Sequence, residues 1–172
     1  SEGHFKNGER EGVLTHWYPN GQKKSETSFV RNVPEGLKKG WYENGQQSFQ
    51  ATYREGKPDG DFVQWFANGQ KKEQAQFKEG VLDGQQLTWY ENGKPRTDVT
   101  YVDGKVTGKK LQWYDTGQIR YQAQLVDNEL NGELRQWYLN GQLREIINFS
   151  SGKQQGRKQR WYGNGQQAFD AM

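Results

Sequence analysis

The sequence predicts an all-β protein, an elongated single antiparallel meander sheet of seven β-hairpin repeats of 24 residues each. Three observations predict this fold. An aromatic pair that begins with tryptophan recurs every 24 residues, one glycine precedes each tryptophan by five residues, and another follows it by four. The tryptophans are Trp17, Trp41, Trp65, Trp89, Trp113, Trp137 and Trp161. The glycine after each tryptophan and a later position held only by Gly or Asn indicate two turns per repeat, and no helical periodicity competes with them.

The segment around each tryptophan predicts the first strand and the first turn of the repeat. The repeats begin at Gly12, Gly36, Gly60, Gly84, Gly108, Gly132 and Gly156, and each strand runs from that glycine to the aromatic pair. The turn reads Asn-Gly in six copies, as in Pro19-Asn20-Gly21, and Thr116-Gly117 in the seventh. Asn-Gly between aromatic segments is a strong hairpin signal.

The second strand carries a column of large apolar residues and, two residues earlier, a column of mostly small ones. The large column is Phe5, Phe29, Tyr53, Phe77, Tyr101, Leu125 and Phe149; the other is Thr27, Ala51, Ala75, Val99, Ala123, Ile147 and Ala171. A second turn follows, with only Gly or Asn at its last position, which are the residues that tolerate positive φ. Residues 1–11 form a partial N-terminal strand, so 1–172 is interpreted as one repeat array.

Composition limits the remaining alternatives. Only 31% of the residues are hydrophobic and the mean hydropathy is −1.22, which taken alone favours disorder. Aromatic residues reach 14% and the net charge is only +3, so repeat stacking can replace a large aliphatic core. The chain has no cysteine and no stretch of roughly 20 apolar residues, which excludes thiol chemistry and a membrane-spanning helix.

The length of the first turn decides which aromatic column faces the small residues, because adjacent strand residues point to opposite faces. A three-residue loop, with Pro19 second in a type I turn and Gly21 at a left-handed bulge, would align Trp17 with the small column. A two-residue loop would align Tyr18 instead, and both are consistent with the repeat. We favour the three-residue loop because Pro19 suits it and a tyrosine hydroxyl belongs near water.

On that interpretation the second face carries an aromatic ladder flanked by glutamines and basic residues, a composition typical of protein-binding surfaces. The predicted partner-binding residues are Tyr18, Tyr42, Phe66, Tyr90, Tyr114, Tyr138 and Tyr162 with Arg96, Arg120 and Arg144; Lys24 and Lys72 continue the basic column. The alternative is that these rings only stack along the sheet as cross-strand pairs.

Charge is uneven along the array. A basic run near the C-terminal end, with no acid between Ser150 and Phe169, is a candidate contact for an anionic surface, although such runs are more often solvated turns. It comprises Lys153, Arg157, Lys158 and Arg160. An acidic column occupies the first half only, namely Glu11, Glu35, Asp59 and Asp83. Acids at turns typically hydrogen-bond the backbone.

Catalytic and metal-binding patterns are absent from the sequence. His4 and His16 are the only imidazoles and are expected at the surface, no phosphate-binding loop occurs, and no ligand set for a metal exists. We therefore expect no enzyme activity and no cofactor. The chain begins at Ser1 with no secretory signal, so we expect a processed or trimmed product; a removed export signal would give a periplasmic or cell-surface location, and a cytoplasmic one stays open.

The pattern Gly-x4-Trp-Tyr-x-Asn-Gly-Gln, followed by a small residue, an aromatic and a turn glycine, resembles the MORN repeat superfamily. It is most similar to the bacterial form found in the YwqK-family antitoxins, from about Phe5 to Ala171. It departs from the eukaryotic-type repeat by the Trp before the Tyr and by Ala or Thr where that repeat often has Gly. The resemblance implies a trough-shaped, twisted sheet that binds proteins or membrane surfaces, without catalytic residues.

Three classes of function follow. We favour a protein-binding module, an antitoxin or immunity protein that neutralises a bacterial toxin or secreted effector through its aromatic-lined sheet. A carbohydrate- or cell-wall-binding array is the second class, because periodic Trp and Tyr also stack on sugars. A membrane-surface scaffold on anionic lipid is the third, and nucleic acid is disfavoured because +3 is a small charge. The oligomeric state stays open.

Overall fold

The computed structural model describes residues 1–171, which form 18 β-strands and no helix. The predicted all-β class is confirmed, and Met172 of the predicted array lies outside the described residues. The strands are β1 (Phe5–Lys6), β2 (Glu9–Arg10), β3 (Gly12–Trp17), β4 (Lys23–Val30), β5 (Val33–Trp41), β6 (Gln47–Arg54), β7 (Lys57–Trp65), β8 (Lys71–Lys78), β9 (Val81–Leu82), β10 (Gly84–Trp89), β11 (Pro95–Val102), β12 (Lys105–Trp113), β13 (Ile119–Val126), β14 (Glu129–Leu130), β15 (Gly132–Trp137), β16 (Leu143–Ser150), β17 (Lys153–Trp161) and β18 (Gln167–Ala171).

Two compact units divide the chain, Ser1–Asp83 and Gly84–Met172. In the first unit, β3 to β8 lie side by side in chain order, β9 pairs with β8, and β1 and β2 form a separate hairpin. In the second unit, β10, β11, β12, β13, β15, β16, β17 and β18 follow one another, and β14 pairs with β13. All these pairings are antiparallel, so each unit is a meander of hairpins.

The first turn of the repeat is the predicted three-residue loop. The amide of Tyr18 donates to the carbonyl of Gln22 at 2.8 Å, and the amide of Gly21 donates to the carbonyl of Tyr18 at 3.0 Å. Gly21 has φ +82°, the left-handed conformation of the bulge position. The Asn20 side chain completes the turn by accepting from the amide of Gln22. This part of the prediction is confirmed.

The face assignment drawn from that loop is wrong, because a second bulge follows it. His16 pairs with Ser25 and Trp17 with Lys23, so Lys24 is an extra residue on β4. His16 shares a face with its partner Ser25, and therefore also with Thr27, two residues further along β4. Trp17 follows His16 directly, so its side chain points to the opposite face. The small column therefore lies on the same face as Tyr18, and the tryptophans line the other one.

The second turn is a two-residue hairpin loop of the type I′ kind, which needs positive φ at both central residues. Arg54 pairs with Lys57, and the loop residues Glu55 and Gly56 have φ +50° and +77°. Where the glycine is replaced, as at Asn32, φ is +67° and the side chain accepts a hydrogen bond from the amide of Arg10 at 2.8 Å. The restriction of this position to Gly and Asn thus has the predicted cause.

The glycine that begins each repeat forms a third irregularity in the strands. Thr27 pairs with Lys38 and Phe29 pairs with Pro34, so three residues of β5, centred on Gly36, lie opposite the single residue Ser28. Gly36 has φ +85°. The carboxylate of the preceding Glu35 accepts a hydrogen bond from the amide of Glu55 in the next turn at 2.8 Å. Glu11 makes the equivalent bond to Arg31, so this column supports the turns, as predicted for acids there.

The core of each unit is thin and follows the small column. In the first unit Ala51 and Ala75 are buried, and the rings of Phe62 and Phe77 meet edge to face at 5.9 Å. In the second unit a cluster of buried side chains is supported by partly buried neighbours. The cluster is Ala123, Leu125 and Leu134, and the neighbours are Val106, Tyr121, Leu130 and Phe149. The low hydrophobic content is sufficient because each hairpin rests on the next.

Candidate partner-binding face

The face that carries the small column also carries the predicted aromatic ladder, and we call it the ladder face. In the first unit its ladder residues are Tyr18, Tyr42 and Phe66, and in the second unit they are Tyr90, Tyr114, Tyr138 and Tyr162. A cavity in the second unit brings Tyr114 beside Gln112 and Tyr121, residues of the same face. Burial raises the pKa of the Tyr121 hydroxyl.

The tyrosine hydroxyls bind the protein's own backbone. Five of them donate to the carbonyl of the tryptophan in the following repeat, at distances of 2.7–3.0 Å. The pairs are Tyr18 with Trp41, Tyr42 with Trp65, Tyr90 with Trp113, Tyr114 with Trp137, and Tyr138 with Trp161. The expectation that these hydroxyls face water is wrong. Each ring joins two repeats, and only its exposed surface is left for a partner.

Removing one such hydroxyl should cost stability without changing the ladder's shape. We expect Tyr114→Phe to lower the free energy of unfolding by about 1 kcal/mol, the usual net value of a partly buried hydrogen bond. Tyr162→Phe is the matched control, because the Tyr162 hydroxyl makes no such bond within residues 1–171 and its ring is exposed. Urea denaturation measures both variants; equal loss in the two would contradict the clamping role.

A row of cations covers the ladder rings. Charged groups lie 5.5–5.9 Å from the ring centroids, within range of a cation–π interaction. The pairs are Lys24 over Tyr18, Lys72 over Phe66, Arg96 over Tyr90, Arg120 over Tyr114 and Arg144 over Tyr138. These five cations occupy the bulged position after the turn, and all are exposed. The bulge places them on the ladder face, where the cation–π contact favours this position of each side chain.

The three-residue loops are also linked from one repeat to the next. The Asn20 side chain donates to the carbonyl of Glu43, and Asn44 donates to the carbonyl of Ala67 at 2.9 Å. In the second unit Asn92 and Asn140 make the same bond. Because each asparagine also accepts from an amide of its own loop, the loop edge of the ladder face has a defined geometry.

Two acids on neighbouring strands neutralise about half of the predicted basic run. Arg157 pairs with Asp170, and both Lys158 and Arg160 pair with Glu145, at 3.3 and 2.5 Å. Antiparallel pairing of β16, β17 and β18 brings these acids alongside, one of them a single residue beyond the run. This segment therefore presents less than its formal charge of +4, which weakens the electrostatic argument that it contacts an anionic membrane surface.

The centre of this ion group is Glu145, a buried carboxylate with 8% of its surface exposed. Burial alone would raise the pKa of Glu145, but hydrogen bonds from Arg160 and Lys158 outweigh burial and hold it below its ordinary value. Because the folded pKa lies below the unfolded one, the group stabilises the fold above about pH 4.5. That stabilisation is lost as the pH falls through the folded pKa.

The loss of folding stability at low pH should depend on the Glu145 side chain. We expect Glu145→Gln to unfold more easily than the wild type at pH 7 and to lose less additional stability between pH 5 and pH 3, because its side chain no longer takes up a proton. Urea titrations at a series of pH values measure this slope. Asp115→Asn, a change at an exposed turn residue of the same unit, serves as the control. An acid slope unchanged by Glu145→Gln would contradict the assignment.

Other kinds of site find no support within residues 1–171. His4 and His16 are exposed, as predicted, and no cluster of three or more His, Asp or Glu residues could hold a metal ion. These residues also contain no helix long and apolar enough to cross a membrane. The ladder face is therefore the feature on which a functional interpretation depends.

Consecutive hairpins joined by repeat-spaced bonds, with one face of stacked rings and cations, define a β-hairpin repeat protein. The family model described as MORN repeat variant matches residues 10–31, 58–79, 82–103 and 130–151, about half of the chain. The chain belongs to this family, whose repeats are non-catalytic modules often used for binding. No curated protein sequence matches the chain significantly.

Proposed function

We propose that this chain is a non-enzymatic protein-binding module that engages its partner through the cation-covered ladder face. The observation that carries the proposal is the row of exposed cations stacked on rings at one repeat position. The cation–π contacts restrict these long side chains before binding, which lowers the entropic cost of forming a complex. A partner with acidic groups would meet a preformed surface.

The spacing of the row supports a macromolecular partner. Consecutive cations of the second unit, Arg96, Arg120 and Arg144, are separated by two strands, which corresponds to about 10 Å along the sheet. A small ligand cannot span three such positions, whereas a folded protein can. Arginine and aromatic side chains are also the residues most enriched at energetically important interface positions.

The proposed partner is a toxin or secreted effector that the chain neutralises, and a periplasmic or cell-surface location belongs to the same proposal. The resemblance to the YwqK-family antitoxins supports this choice. Co-expression tests it: the full-length protein should restore growth of cells that produce the toxin encoded beside its gene. Absence of rescue together with absence of binding would contradict the antitoxin role.

The face itself is tested with matched double variants. Arg96→Gln/Arg120→Gln removes two cations of the row, and Lys109→Gln/Arg135→Gln removes two from the opposite face of the same unit. We expect only the first pair to weaken capture of a stoichiometric partner from the native source, by about tenfold or more. Circular dichroism controls for folding. Equal capture by both variants would contradict the ladder face as the interface.

A further inference from the structure

We propose that the end of the ladder face in the second unit is a recognition cup for an acidic side chain of the partner next to an apolar or aromatic one. This inference rests on the proposed function and specifies its chemistry. The cup has a volume of about 510 Å³. It is lined by Tyr138, Arg144, Glu145, Lys158, Arg160, Trp161, Tyr162, Ala168 and Phe169.

The charge of the cup favours an anionic group. Three cations, Arg144, Lys158 and Arg160, face a single carboxylate, that of Glu145. Arg160 bonds Glu145 through Nε, so its two terminal nitrogens keep donors for a second acceptor. Arg144 lies over the Tyr138 ring. The balance of two positive charges suits a carboxylate, and the guanidinium groups offer the directed donors that carboxylates prefer.

The walls of the cup favour an apolar group beside that acid. Tyr162 is 58% exposed and Phe169 is 47% exposed, which is high for rings of this size. Ala168 lines the cup with them, and so does Trp161, whose carbonyl accepts from the Tyr138 hydroxyl. Covering two such rings with an apolar side chain removes a large apolar area from water. A lipid headgroup or a nucleic-acid backbone would satisfy the cations and leave this surface exposed, so we infer a peptide segment.

The arrangement also explains why Glu145 is present in a cationic cup. It holds Arg160 and Lys158 at 2.5 and 3.3 Å, and so fixes the two cations on β17 where they line the cavity. A pair of unanchored side chains would lose more conformational freedom on binding. Glu145 is therefore a positioning residue, whereas Arg144 and Arg160 supply the donors.

The test uses fluorine NMR of the full chain labelled with 3-fluorotyrosine, in which Tyr162→Phe assigns the Tyr162 signal. The probe is a 12-residue peptide with two Glu-Phe pairs. Matched peptides carry Gln-Phe or Glu-Ser at the same places. We expect the Glu-Phe peptide to shift the Tyr162 signal in a saturable manner, to leave the Tyr18 signal unchanged, and to bind about tenfold more tightly than either matched peptide.

Variants separate the cup from the rest of the row. Arg144→Gln, which leaves the Glu145 ion group intact, should weaken binding of the Glu-Phe peptide by about tenfold, and Arg144→Gln/Arg160→Gln should weaken it further. Arg96→Gln should leave this affinity unchanged. Equal binding of the Gln-Phe peptide, or unchanged affinity of Arg144→Gln, would overturn the cup. So would saturable shifts of the Tyr162 signal by phosphatidylglycerol vesicles or a single-stranded oligonucleotide without any shift by the peptide. If the peptide tests fail in this way but Arg96→Gln/Arg120→Gln still loses the partner, the cup is wrong and the proposed function stands.

Discussion

Gly40→Ala is expected to destabilise the first unit by about 2–3 kcal/mol, the upper range for overpacking by a small group. A Cβ atom at this position would lie 2.2 Å from Cε1 and 2.6 Å from Cδ1 of Phe49, its partner across the strand pair. The ring covers the Gly40 backbone and lies beneath Lys38, so its displacement would disturb further contacts. Thermal and urea denaturation measure the loss.

Two controls make this expectation specific. Gly163→Ala adds the same methyl group at an ordinary φ with nothing within 4 Å, so it should be neutral or slightly stabilising. Gly40→Thr/Phe49→Thr recreates the pair made by Thr88 and Thr97, whose hydroxyls lie 2.6 Å apart, and should recover part of the loss. Equal effects of the two alanine variants would show that the ring does not restrict position 40.

The second large effect is expected at the glycine that begins a repeat. Gly60 has φ +112°, and a Cβ atom there would lie 3.3 Å from Cβ of Thr52. We expect Gly60→Ala to cost about 2–3 kcal/mol, because backbone strain and a close contact add. Gly108→Ala isolates the strain, since φ is +90° there and nothing lies within 4 Å; it should cost about 1–2 kcal/mol.

A conservative change in the neighbouring turn completes this comparison. Gly56→Asn should be nearly neutral, because φ +77° is within reach of asparagine and Asn32 and Asn128 already occupy the equivalent position. Urea denaturation of the three variants gives the order. A cost at Gly56 as large as at Gly60 would contradict the distinction between the turn and the bulge.

Much of the fold is predictable from the sequence because its turns are chemically explicit. Pro19-Asn20-Gly21 specifies the three-residue loop, and Glu55-Gly56 specifies the two-residue loop. The bulge at Lys24 is formed by an ordinary residue, so no sequence signal marks it. That single extra residue exchanges the faces of Trp17 and Tyr18, which is why the predicted face assignment was wrong although the predicted loop was confirmed.

The candidate site is likewise only partly predictable from the sequence. The ladder and its flanking cations are visible as columns at a spacing of 24, but the role of the Tyr114 hydroxyl depends on a backbone carbonyl, that of Trp137, which no pattern displays. Counting charges along the chain gives the basic run +4, whereas in the fold Glu145 and Asp170 reach Arg160 and Arg157 across strands. No pattern marks Glu145, because its column also holds Ser25, Phe49, Glu73, Thr97, Tyr121 and Phe169.

The most direct measurement of the central claim compares partner capture by two folded double variants of the second unit. The account predicts that Arg96→Gln/Arg120→Gln loses the stoichiometric partner from the native source, while Lys109→Gln/Arg135→Gln retains it at the wild-type level. Both variants should keep the wild-type circular dichroism spectrum, because all four side chains are exposed. Loss of the partner in the Lys109/Arg135 variant with full retention in the Arg96/Arg120 variant would place recognition on the tryptophan face and contradict the account.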